Sequence, residues 1–292
     1  MSTNIPFHRI KRVAVLGSGV MGSAIACHLA QCGAEVLLLD LPSDEGPRDA
    51  IAAGHLKKSL KGKPSPIYSK RFAARIETGN FDDDLSKIAQ CDWILEVVVE
   101  RLDIKQQLFE KVEQHRRPGT YITSNTSGIP MAMLVEGRSD DFKAHFCGTH
   151  FFNPPRYLQL LEIIPAPHTR QEVVDFFMAY GEKILGKQTV LCKDTPAFIA
   201  NRVGVFAIQA LFHTVQDMGL TVEAVDKLTG PAMGRPKSAT FRTCDVVGID
   251  TLVHVANGVA QNCPDDERAE VFGIPSFVQH LVDKGHLSLI HI

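Results

Sequence analysis

A histidine and a glutamate twelve positions apart, His150 and Glu162, are the residues whose types could move a proton. His150 lies in Gly148-Thr149-His150-Phe151-Phe152-Asn153-Pro154, and Glu162 in the aliphatic run Leu160-Leu161-Glu162-Ile163-Ile164. A carboxylate set among aliphatic side chains is expected to be buried, and a buried carboxylate needs a partner. An imidazole is a natural one. Oriented by Glu162, His150 could act as the base that takes the proton of an alcohol while hydride leaves the neighbouring carbon. The bland alternatives are a structural strand-end histidine and an exposed strand-edge carboxylate.

A departing hydride needs an acceptor. Gly17-Ser18-Gly19-Val20-Met21-Gly22 has the GxGxxG spacing of a dinucleotide site, with a β-rich run before it and a helical run after it. Gly17 permits the tight turn, and Gly19 lets backbone N–H groups approach a pyrophosphate. Val20 leads into a helix opened by Met21, whose N-terminus adds partial positive charge, and Gly22 lets that helix pack closely on the sheet. Asp40 follows 18 residues beyond Gly22, where its carboxylate would accept the adenosine ribose hydroxyls and repel a 2′-phosphate. Residues 41–45 bring no arginine to offset it. The cofactor expected is therefore NAD rather than NADP.

These residues need elements to position them. Strands are predicted at 12–16, 35–40, 93–99, 121–124 and 146–152, with helices at 21–31, 44–60 and 104–115. The run at 93–99 (WILEVVV) is apolar enough to be a strand covered on both faces. Alternating strands and helices over about 190 residues predict an α/β fold, a Rossmann-type doubly wound and mostly parallel sheet. After Cys192 the pattern becomes helical. Thr195-Pro196 reads as an N-cap and a first-turn proline for a helix over 197–218, and further helices are predicted at 222–228, 246–257 and 276–284. The domains expected are an NAD-binding one at 1–193 and a smaller all-α one at 194–292.

Composition narrows the function classes. The 292 residues carry a formal net charge of -2, which gives no electrostatic footprint for nucleic acid. No apolar run reaches the ~18 residues of a membrane span, and residues 1–12 lack the apolar core of a signal peptide. Seven scattered cysteines without a CxxC pair fit a reducing, cytoplasmic setting. Twelve histidines include no HExxH, so no metal site is expected. Lys57, Lys58, Lys61 and Lys63 form a local basic stretch.

In order along the chain, GSGVMGSAIA, EVVVE, SNTSG, THFFNPPRYLQLLEII, KDTPAFIANRV and DVVGID resemble the 3-hydroxyacyl-CoA dehydrogenase family. The resemblance covers roughly residues 10–285, and is greatest to bacterial fusion proteins in which an enoyl-CoA hydratase region follows the dehydrogenase. It implies NAD-dependent oxidation of (S)-3-hydroxyacyl-CoA to 3-oxoacyl-CoA in fatty-acid β-oxidation. By the same resemblance His150 is the catalytic base and Glu162 its orienting carboxylate. Ser127 is a hydroxyl that bonds the substrate oxygen, and Asn201 an amide that places the substrate from the second domain. Glu100, Lys105 and Asn153 match cofactor contacts. Read without the family, Glu100 and Lys105 are helix-start charges on a solvated face, Ser127 is turn chemistry and Asn201 a helix-side hydrogen bond. With an acyl-CoA substrate, Lys57, Lys58 and Lys61 are expected to meet the phosphates of its CoA portion. A homodimer through the helical domain is a further implication.

The resemblance ends at Lys284-Gly285, where the family continues into a Gly/Lys-rich segment. Here the chain reads His286 and then Leu287–Ile292, an accidental or appended reading that would leave the helical domain truncated and the chain a fragment. Two other functions stay open at this point. One is a 6-phosphogluconate-type β-hydroxyacid dehydrogenase, whose catalytic lysine near the start of the second domain has no counterpart in 194–202. The other is a non-catalytic NAD-binding fragment.

Overall fold

A computed structural model describes residues 10–285. The departure at 286–292, including the tail Leu287–Ile292, lies outside them. The chain divides into two compact units, Met1–Thr195 and Pro196–Ile292.

The first unit contains β1 (Arg12–Leu16), α1 (Val20–Gln31), β2 (Glu35–Asp40), α2 (Ala50–Leu60), β3 (Ile76–Asn80), β4 (Trp93–Glu96) and α3 (Leu102–His115). It continues with β5 (Tyr121–Ser124), α4 (Met131–Leu134), α5 (Asp140–Ala144), β6 (Phe146–Phe151), β7 (Leu160–Pro165), α6 (Gln171–Lys183) and β8 (Gln188–Leu191). The eight strands form one sheet in the order β3-β2-β1-β4-β5-β6-β7-β8. β1 to β6 run parallel, β7 is antiparallel to β6, and β8 is parallel to β7. The aliphatic runs of β1, β2 and β4 are buried along almost their whole length, as strands sandwiched between helix layers must be. Strand order reverses between β1 and β4, and ligands of open α/β sheets bind at the carboxyl edge of that switch.

The second unit is helical: α7 (Ala200–Met218), α8 (Val222–Thr229), α9 (Phe241–Val247), α10 (Ile249–Asn262) and α11 (Ser276–Asp283). Its core gathers Phe212, Phe241, Phe272, Leu252 and Val278. Among the described residues no helix is long and apolar enough to cross a membrane, and no group of three or more His, Cys, Asp or Glu is placed to hold a metal ion.

Several predicted bounds are corrected. The strand expected over 93–99 stops at Glu96, because the Glu96 carboxylate accepts the Val98 N–H at 2.7 Å and bends the chain out of the sheet. The helix expected from 44 starts at Ala50. Residues before it turn instead, with Ser43 N–H donating to Arg48 O and Ser43 Oγ to Glu45 O. Thr195-Pro196 does not open α7. Ala197 and Phe198 have φ of 61° and 49°, left-handed values that no helix can contain. The helix expected over 246–257 is two helices, because Gly248 at φ 96° breaks the ladder between them. β3, α4, α5, β7, α6 and β8 are not among the predicted elements.

Candidate active site

The β6–β7 ladder sets His150 opposite Glu162 as cross-strand neighbours. Neighbours on one face of an antiparallel pair are within side-chain reach, and His150 Nδ1 lies 2.7 Å from Glu162 Oε2. Glu162 is 0% exposed and His150 5%. β7 supplies the carboxylate from an otherwise aliphatic strand, and the aliphatic residues keep water from the pair. Asn125, just beyond β5, fixes the end of the histidine strand by accepting the Phe151 N–H at 2.9 Å. The Phe152 ring lies 4.4 Å from the imidazole. With Nδ1–H given to the carboxylate, the basic lone pair of the imidazole is on Nε2. The arrangement can therefore accept a proton and hold the resulting positive charge.

The glycine loop joins β1 to α1 at the switch. Gly17 has φ 105°, and a Cβ there would come within 2.6 Å of Val97 O. A Cβ on Gly22 would stand 1.8 Å from Gly17 O, so any side chain would push α1 off the loop. A Cβ on Gly19 would meet nothing within 4 Å. Its absence leaves open space before the first N–H groups of α1, as a pyrophosphate at a helix N-terminus requires. Asp40, closing β2, accepts Ser18 N–H at 2.6 Å and Ser18 Oγ–H at 2.5 Å on one oxygen, and Leu41 N–H at 2.8 Å on the other. Val20, Leu41 and Val99 expose large apolar side chains, unsatisfied surface that flat rings could cover. The residues present fit a dinucleotide.

Around the β4 and β5 ends lies a second polar network. Lys105 is 1% exposed, so the reading of it as a solvated helix-start charge is overturned. α3 carries it inward, and its Nζ meets Glu96 Oε1 at 2.7 Å, Val98 O at 3.2 Å and Glu100 Oε2 at 3.3 Å. Glu100 Oε1 accepts Thr126 Oγ1–H at 2.5 Å, Ser127 N–H at 2.8 Å and Gly128 N–H at 3.2 Å. Burial opposes ionisation of Glu100, but Lys105 and these donors outweigh it and hold the carboxyl below its ordinary range. Glu100, Lys105 and Ser127 thus come together in one cluster.

Asn153 lies two residues beyond the end of β6 and three from His150. Lys57 and Lys61, on and just after α2, line a groove of about 380 Å³ with Lys70, over a floor that includes Leu56, Leu60 and Ile76. Lys58 is not among its lining residues. Asn201 belongs to the second unit, in the first turn of α7.

Three functional-looking residues have no local sequence signal. His55 on α2 places Nδ1 2.8 Å from Ser18 Oγ and 3.9 Å from an Asp40 oxygen; only the fold brings α2 back to the glycine loop. Glu96 hides inside an apolar run. Lys187, buried, donates from Nζ to Pro155 O and, at 2.8 Å, to Leu158 O, tying down the loop after β6. Burial lowers its ammonium to about 8.

A family model described as 3-hydroxyacyl-CoA dehydrogenase, NAD binding domain, matches residues 12–195, and one described as 3-hydroxyacyl-CoA dehydrogenase, C-terminal domain, matches residues 198–290. A Bacillus subtilis protein named probable 3-hydroxyacyl-CoA dehydrogenase is 51% identical, over 94% of this chain and 37% of its own length. A Deinococcus radiodurans protein of the same name is 48% identical, over 89% of this chain and 75% of its own. This chain thus spans little more than a third of the Bacillus relative. Among solved structures, that of M. tuberculosis FadB2 superposes with a TM-score of 0.82 at 27% identity, covering 97% of this chain and 96% of that one.

Proposed function

The chain belongs to the 3-hydroxyacyl-CoA dehydrogenase family, and from that membership we propose that it oxidises (S)-3-hydroxyacyl-CoA to 3-oxoacyl-CoA with NAD, as a step of fatty-acid β-oxidation. The observation that carries the chemistry is the buried 2.7 Å contact between His150 Nδ1 and Glu162 Oε2. NAD, when bound along the glycine loop with its ribose on Asp40, supplies the hydride acceptor. The protein's own residues do the rest. His150 Nε2 takes the hydroxyl proton as the carbon–hydrogen bond breaks, which avoids a protonated ketone. Glu162 fixes the ring and stabilises the imidazolium. Ser127 donates its hydroxyl to the substrate oxygen, and Asn201 places the substrate from the second unit. Glu100, Lys105 and Asn153 shape the nicotinamide end, Lys105 from within the protein. Lys57 and Lys61, supported by the groove they share with Lys70, receive the phosphates of CoA, with Lys58 alongside.

The second unit, with its boundary near residue 194, is the substrate and dimer domain in this reading. The longer Bacillus relative supports a full-length protein with a further region, for which a fused enoyl-CoA hydratase is the proposal. The compartment proposed is the cytoplasm. Burial pushes the thiols of Cys27, Cys91 and Cys244 up to about 12, as suits cysteines that act as small hydrophobes. The test is reduction of acetoacetyl-CoA by NADH with formation of the (S)-3-hydroxy thioester. A chain that binds NADH but reduces only free 3-oxo acids would replace the thioester with another substrate class.

A further inference from the structure

Among the described residues Glu96 is the only acidic side chain that closes a strand in the middle of the sheet and touches no solvent. Its oxygens have three partners within the protein. Oε1 accepts Lys105 Nζ–H at 2.7 Å and Val98 N–H at 2.7 Å. Oε2 accepts Ser124 Oγ–H at 2.5 Å, and that hydroxyl oxygen in turn accepts Thr126 N–H at 3.1 Å. Burial pushes the Glu96 carboxyl above its ordinary range, against the pull of Lys105, Ser124 and Val98. Every partner is a donor, and only the carboxylate can accept from all of them.

Such a pair is a poor way to gain stability. Desolvation of both charges consumes most of their attraction, and apolar residues of equal volume are commonly as stable or more so. What the pair does fix is geometry. Glu96 bonds the loop after β4 through Val98 N–H, and the loop after β5 through Ser124 and, behind it, Thr126. Lys105 adds Val98 O and reaches Glu100 Oε2 at 3.3 Å. Glu100 then gathers Thr126 Oγ1, Ser127 N and Gly128 N on its other oxygen. Two chains of hydrogen bonds, one through Ser124 and one through Lys105 and Glu100, thus converge on residues 126–128 from a single buried carboxylate.

We propose that Glu96 is a positioning residue for Ser127: paired with Lys105, it sets the loop at 126–128 so that the Ser127 hydroxyl stands where the substrate oxygen develops charge. The proposal rests on the reading of Ser127 given above. It assigns Lys105 an indirect part as well, because its ammonium is directed at Glu96, Val98 and Glu100. Glu96→Gln keeps the shape and removes the charge. Its amide nitrogen either faces the donors Lys105 and Val98 N–H, or faces Ser124, whose hydroxyl must then turn from donor to acceptor while it also accepts Thr126 N–H. The loop should then loosen by tenths of an ångström, and misplacement of around 1 Å in a reacting constellation costs about 10²-fold. A loss of about tenfold in kcat is expected.

The experiment has two readouts. The first is amide hydrogen exchange at Ser127 and Gly128 in the cofactor-free protein, which should accelerate in Glu96→Gln while the amides of β1 and β2 stay as they are. Unchanged exchange at 127 and 128 overturns the proposal. The second is a double-mutant cycle on kcat with Ser127→Ala. If Glu96 acts through the Ser127 hydroxyl, Glu96→Gln costs little once that hydroxyl is gone. Losses that multiply assign Glu96 to general stability and also overturn the proposal. If Glu96→Gln fails to fold, the double variant Glu96→Leu/Lys105→Met removes both charges and should fold. It is expected to show the same faster exchange. A wild-type chain that does not reduce acetoacetyl-CoA would refute the proposed function, while the exchange rates would still decide whether Glu96 holds the loop.

Discussion

Replacing Glu162 by glutamine tests the heart of the site without changing its shape. The side chain is wholly buried and its oxygen lies 2.7 Å from His150 Nδ1, so glutamine can still accept the Nδ1–H bond. It cannot supply the negative charge that meets the imidazolium formed in the reaction. Two unit charges about 4 Å apart at an effective dielectric near 20 attract by about 4 kcal/mol. The surviving neutral hydrogen bond recovers roughly 1 kcal/mol of that, leaving a loss of about 3 kcal/mol, or roughly 100-fold in kcat. His150→Gln removes the base itself and should cost about 10²–10⁴-fold. The decisive measurement is the double variant in the acetoacetyl-CoA/NADH assay, with NADH binding followed separately. If Glu162 acts through His150, as proposed, the double variant should be no slower than His150→Gln alone within a few-fold. Losses that multiply would mean the two residues do not form a unit. Near-normal kcat in His150→Gln would end the mechanism.

The remaining expectations are independent of that pair. A 2′-phosphate carrying two charges about 4 Å from the Asp40 carboxylate costs about 2 kcal/mol even at the dielectric of water, roughly thirtyfold; Asp40→Ala should shrink the NADH/NADPH ratio of kcat/KM by about that factor, and an unchanged ratio removes its role in discrimination. Charge reversal at Lys57 and Lys61 should raise KM for acetoacetyl-CoA about tenfold or more, less so at high salt, with KM for NADH unchanged; if neither moves, the groove is only surface. Buried His28 accepts Gln31 Nε2–H on Nδ1 at 3.0 Å and bonds Leu185 O through Nε2 at 3.1 Å, the pattern of a neutral ring, and burial with nearby Lys187 lowers it to about 4. The unfolded state then binds the extra proton between the ordinary value of 6.5 and about 4, so stability is lost as pH falls through that window, by roughly 3 kcal/mol in all. Chemical denaturation should show this loss in the wild type relative to His28→Gln, and parallel pH profiles would refute it.

How far the fold could be read ahead depended on how each segment is covered. β1, β2 and β4 are mostly apolar runs because helices cover both faces, and such runs declare themselves. β3 (IETGN) and β8 (QTVL) are edge strands, largely half-buried or exposed. With one flank open to water they need no apolar pattern, so nothing in their composition separates them from loop. Helix bounds failed where one backbone angle decided them, as at Ala197, Phe198 and Gly248. The general pattern of apolar residues continues smoothly through all three positions.

In the site, what was legible was type and what was hidden was partnership. Glycines at fixed spacing and an aspartate closing the next strand betray a phosphate turn locally. The His150–Glu162 pair was legible because an aliphatic strand with one carboxylate demands a partner. The same logic applies to every strand of the parallel set except β1, which closes on Leu16. β2 closes on Asp40, β3 on Asn80, β4 on Glu96 and β5 on Ser124, and β6 carries His150 next to its last residue. Each is a polar residue that a strand presents at its carboxyl edge, where ligands of such sheets bind. Glu96 was obscured because three valines follow it, so that WILEVVV reads as one strand with an incidental charge. Its carboxylate is the reason those valines are not strand: it captures Val98 N–H and turns the chain toward Glu100. At Glu96 the lone carboxylate marks where the buried strand ends, whereas at Glu162 it sits within β7; in both places the partner it requires, Lys105 or His150, is itself among the residues of the candidate site.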